Sequence, residues 1–487
     1  MVSKARSGRK TGRQIGVTES VCPECLRALP ARKVAGDGGI FLEKSCPDHG
    51  TYSVLIWEGT EESYMAWGSS MQPADRILAA KPADRGCPLD CGLCGNHERR
   101  GCCVLLEVTK RCNLHCPVCF AGAGAGEGKD VPFPELERQM EYLMSHGGPF
   151  NLQLSGGEPT MRDDLPDIIR MGREKGFSFF QLNTNGLRLA GEKGYAETLK
   201  QAGLSCVFLQ FDGFKEETYL TLRGRPLLAE KQAAIDACGR AGLGVILVPV
   251  IAPGLNEGEI GALLDYAVSR MPVVRGVHFQ PISYFGRCLE EKEGYRLTIP
   301  KLLSLMEAQT GGRISAGHFT GGNATNPYCT FQANYLRMED GGLTPMVHGT
   351  ARAYASSEQA REFVARQWSG PEDGCCCGTE GETGCCSSEE ETDSCCGTKE
   401  AFEDGRGCCC CGEDTAQMQF DTSSLDEFLA RLHNNTFAVS GMLFQDAWNL
   451  DLARLRRCYI LETDSRYGMV PFCAYNLTSR EGRTLYR

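Results

Sequence analysis

From residue 104 to about residue 310, short apolar runs alternate with stretches whose apolar residues recur at helical spacing. The runs at 104–109, 151–154, 178–183, 206–211, 245–251 and 276–280 predict strands. The stretches at 134–145, 165–175, 193–201, 230–241 and 257–270 predict amphipathic helices between them. Strands that alternate with helices imply parallel pairing through crossover helices. Six such units make an α/β fold, a partial (β/α)6 barrel over 104–310. Working loops are expected at the C-terminal ends of the strands, as in complete barrels.

The flanks read differently. Residues 1–19 have no apolar period and are expected as a disordered basic tail. Residues 20–60 carry two short cysteine turns, and residues 80–103 a second cysteine set. Residues 311–370 are mixed. Residues 371–415 have no hydrophobic period at all. Within 371–414 there are eleven cysteines and thirteen acids against two bases, a composition that burial cannot order. This segment is expected as a flexible insertion. Apolar patterning returns at 425–432 and continues through 416–487.

The formal net charge is −11, which argues against general affinity for nucleic acid. Lys4, Arg6, Arg9, Lys10 and Arg13 have no apolar stretch behind them, so they do not form an export signal. No run of about twenty apolar residues occurs; an integral membrane protein is excluded and a cytoplasmic location expected. The chain holds 28 cysteines. In a long chain without an export signal, clustered cysteines read as metal ligands rather than disulfides.

Cys22-Pro-Glu-Cys25 is followed by Cys46-Pro-Asp-His49-Gly50, with a glycine-rich turn between them. Two knuckles about twenty residues apart suit one tetrahedral metal, in a zinc-ribbon or rubredoxin-like unit holding zinc or mononuclear iron. The unit is too small for an apolar core, so the metal would drive its folding. His49 serves as fourth ligand or caps the turn.

Directly after the first barrel strand stands Cys112-Asn-Leu-His-Cys116-Pro-Val-Cys119-Phe120. Three thiolates on one loop ligate three corners of a four-iron four-sulfur cluster and leave the fourth iron open; the spacing alone also suits a zinc loop. The Cys-x3-Cys-x2-Cys spacing with its trailing aromatic resembles the radical S-adenosylmethionine (SAM) superfamily. The resemblance implies that the open iron takes the amine and carboxylate of SAM. One electron then breaks the bond from sulfur to C5′ and yields a 5′-deoxyadenosyl radical. Ser155-Gly156-Gly157-Glu158-Pro159 matches the family's glycine-rich turn, where glycines let backbone approach the ligand and Glu158 accepts from the methionine ammonium. Asn183-Thr184-Asn185 and Gln210-Phe211-Asp212 place short polar groups at strand tips, where the family binds carboxylate and ribose. Arg223 resembles a family arginine near the cofactor, and Val250 lies on the strand that meets the adenine.

Cys87-Pro-Leu-Asp-Cys91-Gly-Leu-Cys94, with Cys102 as the fourth thiol, is an inventory for an auxiliary cluster. Cys103 leads into the apolar strand, and Cys206 and Cys238 sit in core patterns. The knuckle, this set, the barrel and the tail together resemble the tetraether lipid synthase-like subfamily and its thiol- or selenol-rich bacterial relatives. That resemblance implies one or two auxiliary clusters, with Cys458, Cys473 and Cys329 in a C-terminal one. Ser440-Gly441-Met442 stands where such relatives are expected to carry a further cysteine.

The function expected is reductive SAM cleavage and hydrogen abstraction from an unactivated carbon, with a lipid chain as one substrate. A maturase acting on a peptide or small metabolite is the alternative. A metal-handling or electron-transfer iron–sulfur protein is the alternative of another class. A flavodoxin or ferredoxin-type electron donor is the expected partner.

Overall fold

The computed structural model of the chain describes residues 12–69, 71, 79–125, 128–289, 296–322, 326–346, 357–370, 432 and 434–487. The cysteine-rich insertion expected at 371–415 lies outside the described residues, as do residues 1–11.

Four strands open the described chain: β1 Arg13–Val21, β2 Ala28–Gly36, β3 Gly39–Cys46 and β4 Gly50–Glu58, paired in sequence order as an antiparallel meander. Residues 13–19, expected in a disordered tail, form most of β1. They pair with β2 from Arg13↔Ala35 to Ser20↔Leu29 and beyond. An antiparallel partner supplies the backbone hydrogen bonds that their own weak apolar pattern does not announce. The connection from β1 to β2 contains Cys22 and Cys25; the one from β3 to β4 ends at His49. Buried Lys44 donates to Ser20 Oγ at 3.0 Å and to the Ala447 carbonyl at 2.7 Å, tying this small sheet to the C-terminal chain.

The barrel follows. Its strands are β5 Cys103–Thr109, then the short β6 Arg111–Cys112 and β7 Gly124–Ala125, β8 Asn151–Gly156, β9 Phe180–Thr184, β10 Cys206–Gln210, β11 Gly244–Val248, β12 Val250–Ile251 and β13 Val274–Pro281. The six long strands are parallel, in the order β13-β11-β10-β9-β8-β5. Helices Phe133–Ser145, Leu165–Glu174, Tyr195–Gln201, Leu228–Arg240 and Ile260–Ser269 cross between them. The inner faces of these helices bury Leu136, Met140, Ile168, Leu199, Ile235 and Leu263 against the sheet.

The C-terminal chain is not a separate module. After β14 Thr330–Arg337 and β15 Leu343–Pro345 come β16 Thr436–Met442, β17 Ile460–Asp464 and β18 Gly468–Pro471. β16 pairs parallel to β13, and β17 parallel to β5, so both edges of the six-stranded sheet are covered by residues from the tail. Open sheet edges carry unpaired backbone groups, and covering them removes that liability. Residues 311–370, mixed in sequence, hold β14, β15 and a helix at Ser357–Trp368. Among the described residues no helix is long and apolar enough to cross a membrane.

Candidate functional site

Cys112 ends β6, and Cys116 and Cys119 follow on the loop beyond it. The three thiols line one cavity of about 280 Å³ at the C-terminal mouth of the barrel. Burial pushes the Cys112 thiol up to about 12 and raises that of Cys116. Iron must therefore displace protons to bind here. The loop's backbone is held from outside it. Arg287 donates from Nε to the Cys116 carbonyl and from Nη2 to that of Ala123, both at 2.6 Å, and exchanges backbone hydrogen bonds with Cys119. Phe120 sits at the rim with its ring 5.5 Å from that of Phe472.

The glycine-rich turn after β8 acts on the protein before it acts on a ligand. Gly157 N–H donates to the Thr109 carbonyl and Glu158 N–H to that of Arg111, both at 2.8 Å. A Cβ on Gly156 would lie 2.2 Å from the Thr109 oxygen, and one on Gly157 2.1 Å from the Arg111 oxygen. The approach of β5 and β6 thus already requires both glycines, and both also line the cavity. Glu158 is buried, and its oxygens accept from Thr160 N–H and Oγ1, Thr184 Oγ1 and Asn185 N–H at 2.7 to 3.1 Å. Those bonds brace two strand-end turns against each other.

Asn185 completes the brace, donating to Asn113 of the cysteine loop at 2.7 Å. Its carbonyl accepts from the buried Lys231 at 2.5 Å. Asp212 and Arg223 form a buried bidentate pair, and Arg223 also reaches the Val118 carbonyl at 3.2 Å. Asp212 Oδ1 also accepts from the N–H of Val250 at 3.0 Å. Asn183, Gln210 and Val250 line the cavity directly. The structure therefore brings every barrel residue expected from sequence to one mouth, several of them as braces.

Away from the thiols the cavity is apolar and aromatic. Phe208, Trp368, Phe444, Phe472, Ile460 and Met442 line it, with His278 among them. His278 Nδ1 lies 2.9 Å from Ser440 Oγ, and burial lowers the imidazole to about 4. Sequence reasoning missed these residues and Arg287. Met442, Phe444, Ile460 and Phe472 come from the tail and Trp368 from the helix at Ser357–Trp368, whose docking on the barrel has no local signal.

Three further cysteine groups stand outside the barrel mouth. Cys22, Cys25, Cys46 and His49 place one ligand atom each within 4.8 Å of one another, close enough to share the single ion that a ribbon of this kind takes. Burial opposes ionisation of Cys46, but hydrogen bonds from His49 and the Asp48 backbone outweigh it and bring that thiol down to about 6. Cys87, Cys91 and Cys94 line a second pocket, with His97, Asn96 and Arg456. Cys102 does not line it. Its N–H is bonded to the Tyr459 carbonyl at 3.1 Å, and its side chain packs with Cys103 and Tyr459. Cys329, Cys458 and Cys473 line a third pocket, where the Arg454 guanidinium donates to the Cys329 sulfur at 3.0 Å. Cys206 and Cys238 are fully buried in the core.

A three-thiol loop after the first strand, a Gly-Gly-Glu turn after the second and a partial parallel barrel define a radical SAM enzyme, and the radical SAM superfamily model matches residues 106–267. A model described as the HMPTM N-terminal zinc ribbon domain matches residues 14–58. The chain belongs to the family of the 7,8-dihydro-6-hydroxymethylpterin dimethyltransferase of Methanocaldococcus jannaschii, to which it is 34% identical over 492 residues, covering 95% of this chain and 94% of that one. The GTP 3′,8-cyclase of Paenarthrobacter nicotinovorans is 34% identical over 210 residues, 42% of this chain and 57% of its own. Among solved structures, Streptococcus suis SuiB bound to its precursor peptide SuiA matches at a TM-score of 0.37 and 17% identity, covering 44% of this chain and 46% of that one.

Proposed function

We propose that this radical SAM enzyme modifies a carbon of a pterin-class heterocycle, by hydrogen abstraction from a substrate seated in the aromatic part of the cavity. The observation that carries the reading is the continuity of that cavity. One wall is the thiol loop Cys112, Cys116 and Cys119, and the other is Phe208, Trp368, His278, Phe444 and Phe472. When bound, the cluster and SAM supply a primary carbon radical able to take hydrogen from an unreactive C–H bond. The chain's own residues orient and exclude. Arg287 and Arg223 hold the loop's backbone, and Asn185 holds the Asn113 side chain on it. The aromatic wall offers faces for a planar ring and keeps water from the reacting carbon. His278, held by Ser440, presents a polar ring edge within that wall.

The same lining favours a second substrate, the long apolar chain of a tetraether-synthase-like reaction. The cavity's far wall is dominated by carbon, and a lipid needs no more than that. Auxiliary iron–sulfur clusters at Cys87, Cys91 and Cys94, and at Cys329, Cys458 and Cys473, belong to this proposal. So do zinc or mononuclear iron at Cys22, Cys25, Cys46 and His49, and a flavodoxin or ferredoxin-type electron donor.

The test is anaerobic reconstitution followed by incubation with SAM and reductant, with three arms. One contains 7,8-dihydro-6-hydroxymethylpterin, one a lipid extract of the host, and one peptides encoded near the gene. A stimulated yield of 5′-deoxyadenosine, with a methyl group gained by the pterin from SAM in exchange for the abstracted hydrogen, supports the first reading. Stimulation by lipid alone, with deuterium transfer between lipid and SAM, replaces it with the second. Stimulation by a peptide alone rejects both.

A further inference from the structure

The pre-barrel cysteine set holds three thiols in one pocket and leaves its expected fourth thiol outside. Cys102 is fixed by the strand that follows it. Its N–H is bonded to Tyr459, and its carbonyl accepts from Asn151 at 3.1 Å. Its side chain packs with Cys103 and Tyr459 and does not line the pocket of Cys87, Cys91 and Cys94. The pocket nevertheless contains another side chain able to ligate a metal. His97 lines it beside Cys87, Cys91 and Cys94.

Three observations single out this imidazole. It is only 7% exposed, and among the described residues its Nε2 has no hydrogen-bond partner. A buried ring nitrogen without a partner is uncommon, because the lost hydration is not replaced. The turn that carries the ring is closed by the His97 N–H on the Cys94 carbonyl at 3.0 Å, which returns His97 to the side of the last cysteine. The surroundings are cationic. Lys81, bridged through its backbone to Cys94, brings its ammonium beside Gly92, and Arg456 lines the pocket. Positive charge in that position suits a metal group ligated by several thiolates.

We propose that His97 ligates, through Nε2, the metal cluster held by Cys87, Cys91 and Cys94, in the place expected for Cys102. The proposal rests on the reading of this pocket as a cluster site. A cluster fits better than a single ion. Among the described residues, only the ribbon's four ligands all lie within 4.8 Å of one another. The Cys87 and Cys94 thiols are hydrogen-bonded to each other, but no three of Cys87, Cys91, Cys94 and His97 meet that limit together, nor do the three thiols of the barrel loop. A neutral imidazole replacing a thiolate makes the cluster one charge less negative. That change favours the reduced state and raises the reduction potential, as histidine ligation does at other iron–sulfur centres.

The test uses the full chain, reconstituted anaerobically with iron and sulfide and labelled with 15N-histidine. The dithionite-reduced protein is examined by pulsed electron paramagnetic resonance, together with iron content and a potentiometric titration. Cys94→Ala identifies the signal of this cluster by its loss. The expected result is a strong directly bound 15N coupling on that signal. His97→Cys should abolish the coupling, keep the iron and lower the potential. His97→Ala should lose iron from this site alone. A signal that disappears in Cys94→Ala but carries no histidine coupling in the native protein overturns His97 as ligand while leaving the cluster in place. Iron content and spectra unchanged in Cys94→Ala overturn the cluster site itself. Because the isotope experiment uses the unmutated protein, failure of a variant to fold does not blunt it.

Discussion

Arg223 and Asp212 meet as a bidentate pair, Nε to Oδ2 and Nη2 to Oδ1, both at 2.7 Å and out of contact with solvent. The pair links the end of β10 to the loop of the three thiols, because Arg223 also donates to the Val118 carbonyl. Removing one partner strands the other charge in the interior. Asp212→Ala is expected to cost roughly 3–5 kcal/mol of stability and to lower iron loading at the barrel loop. Replacing both residues by leucine should recover part of the stability and little of the iron. Urea denaturation and iron counting on the three proteins check this.

Gly157→Ala tests the turn after β8. Its Cβ would fall 2.1 Å from the Arg111 carbonyl oxygen, and backbone on both sides has to move. Loss of iron at the neighbouring Cys112, with the N-terminal ribbon metal retained, is the expected pattern. Metal analysis of the purified variant decides it; full iron loading would show that the approach of the two strands is dispensable.

Cys112→Ala, Cys116→Ala and Cys119→Ala should each abolish formation of 5′-deoxyadenosine from SAM under strong reductant. Ligation of metal at Cys22, Cys25, Cys46 and His49 should survive, because that group shares no residue with the barrel loop. Nucleoside yield by chromatography and zinc content by mass spectrometry are the two readouts. Continued nucleoside formation by the triple variant would remove the basis of the enzymatic reading.

His278 makes stability depend on pH. Burial holds its imidazole at about 4 in the folded chain, against 6.5 for the free group. The unfolded chain therefore binds more protons between those values, and stability rises with pH there. The contribution is complete above about 6.5 and is lost as pH falls toward 4, with a ceiling of about 3 kcal/mol from the size of the shift. His278→Gln should flatten the curve in that window. Denaturation midpoints measured from pH 4 to 7 on both proteins provide the check; parallel curves would show that the ring titrates normally.

The barrel was legible because its signals are local. Six apolar runs and five helical stretches appear within about three residues of where the strands and helices lie, since periodicity reflects burial of one face. Cys112, Cys116 and Cys119 stand together on one short loop, whereas Cys22 and Cys25 meet Cys46 and His49 because the meander brings two turns together. Tertiary structure decided what depends on partners far along the chain. β1 gained its strand pairing from β2, and the tail became the two edge covers of the barrel. Trp368, Phe444 and Phe472 entered the cavity only through that docking. Cys102 shows the difference most clearly. Spacing offers it as a ligand, whereas in the fold its side chain packs with Cys103 and Tyr459 and it is His97 that lines the pocket of Cys87, Cys91 and Cys94. Spacing measures distance along the chain, and a metal responds to distance through space.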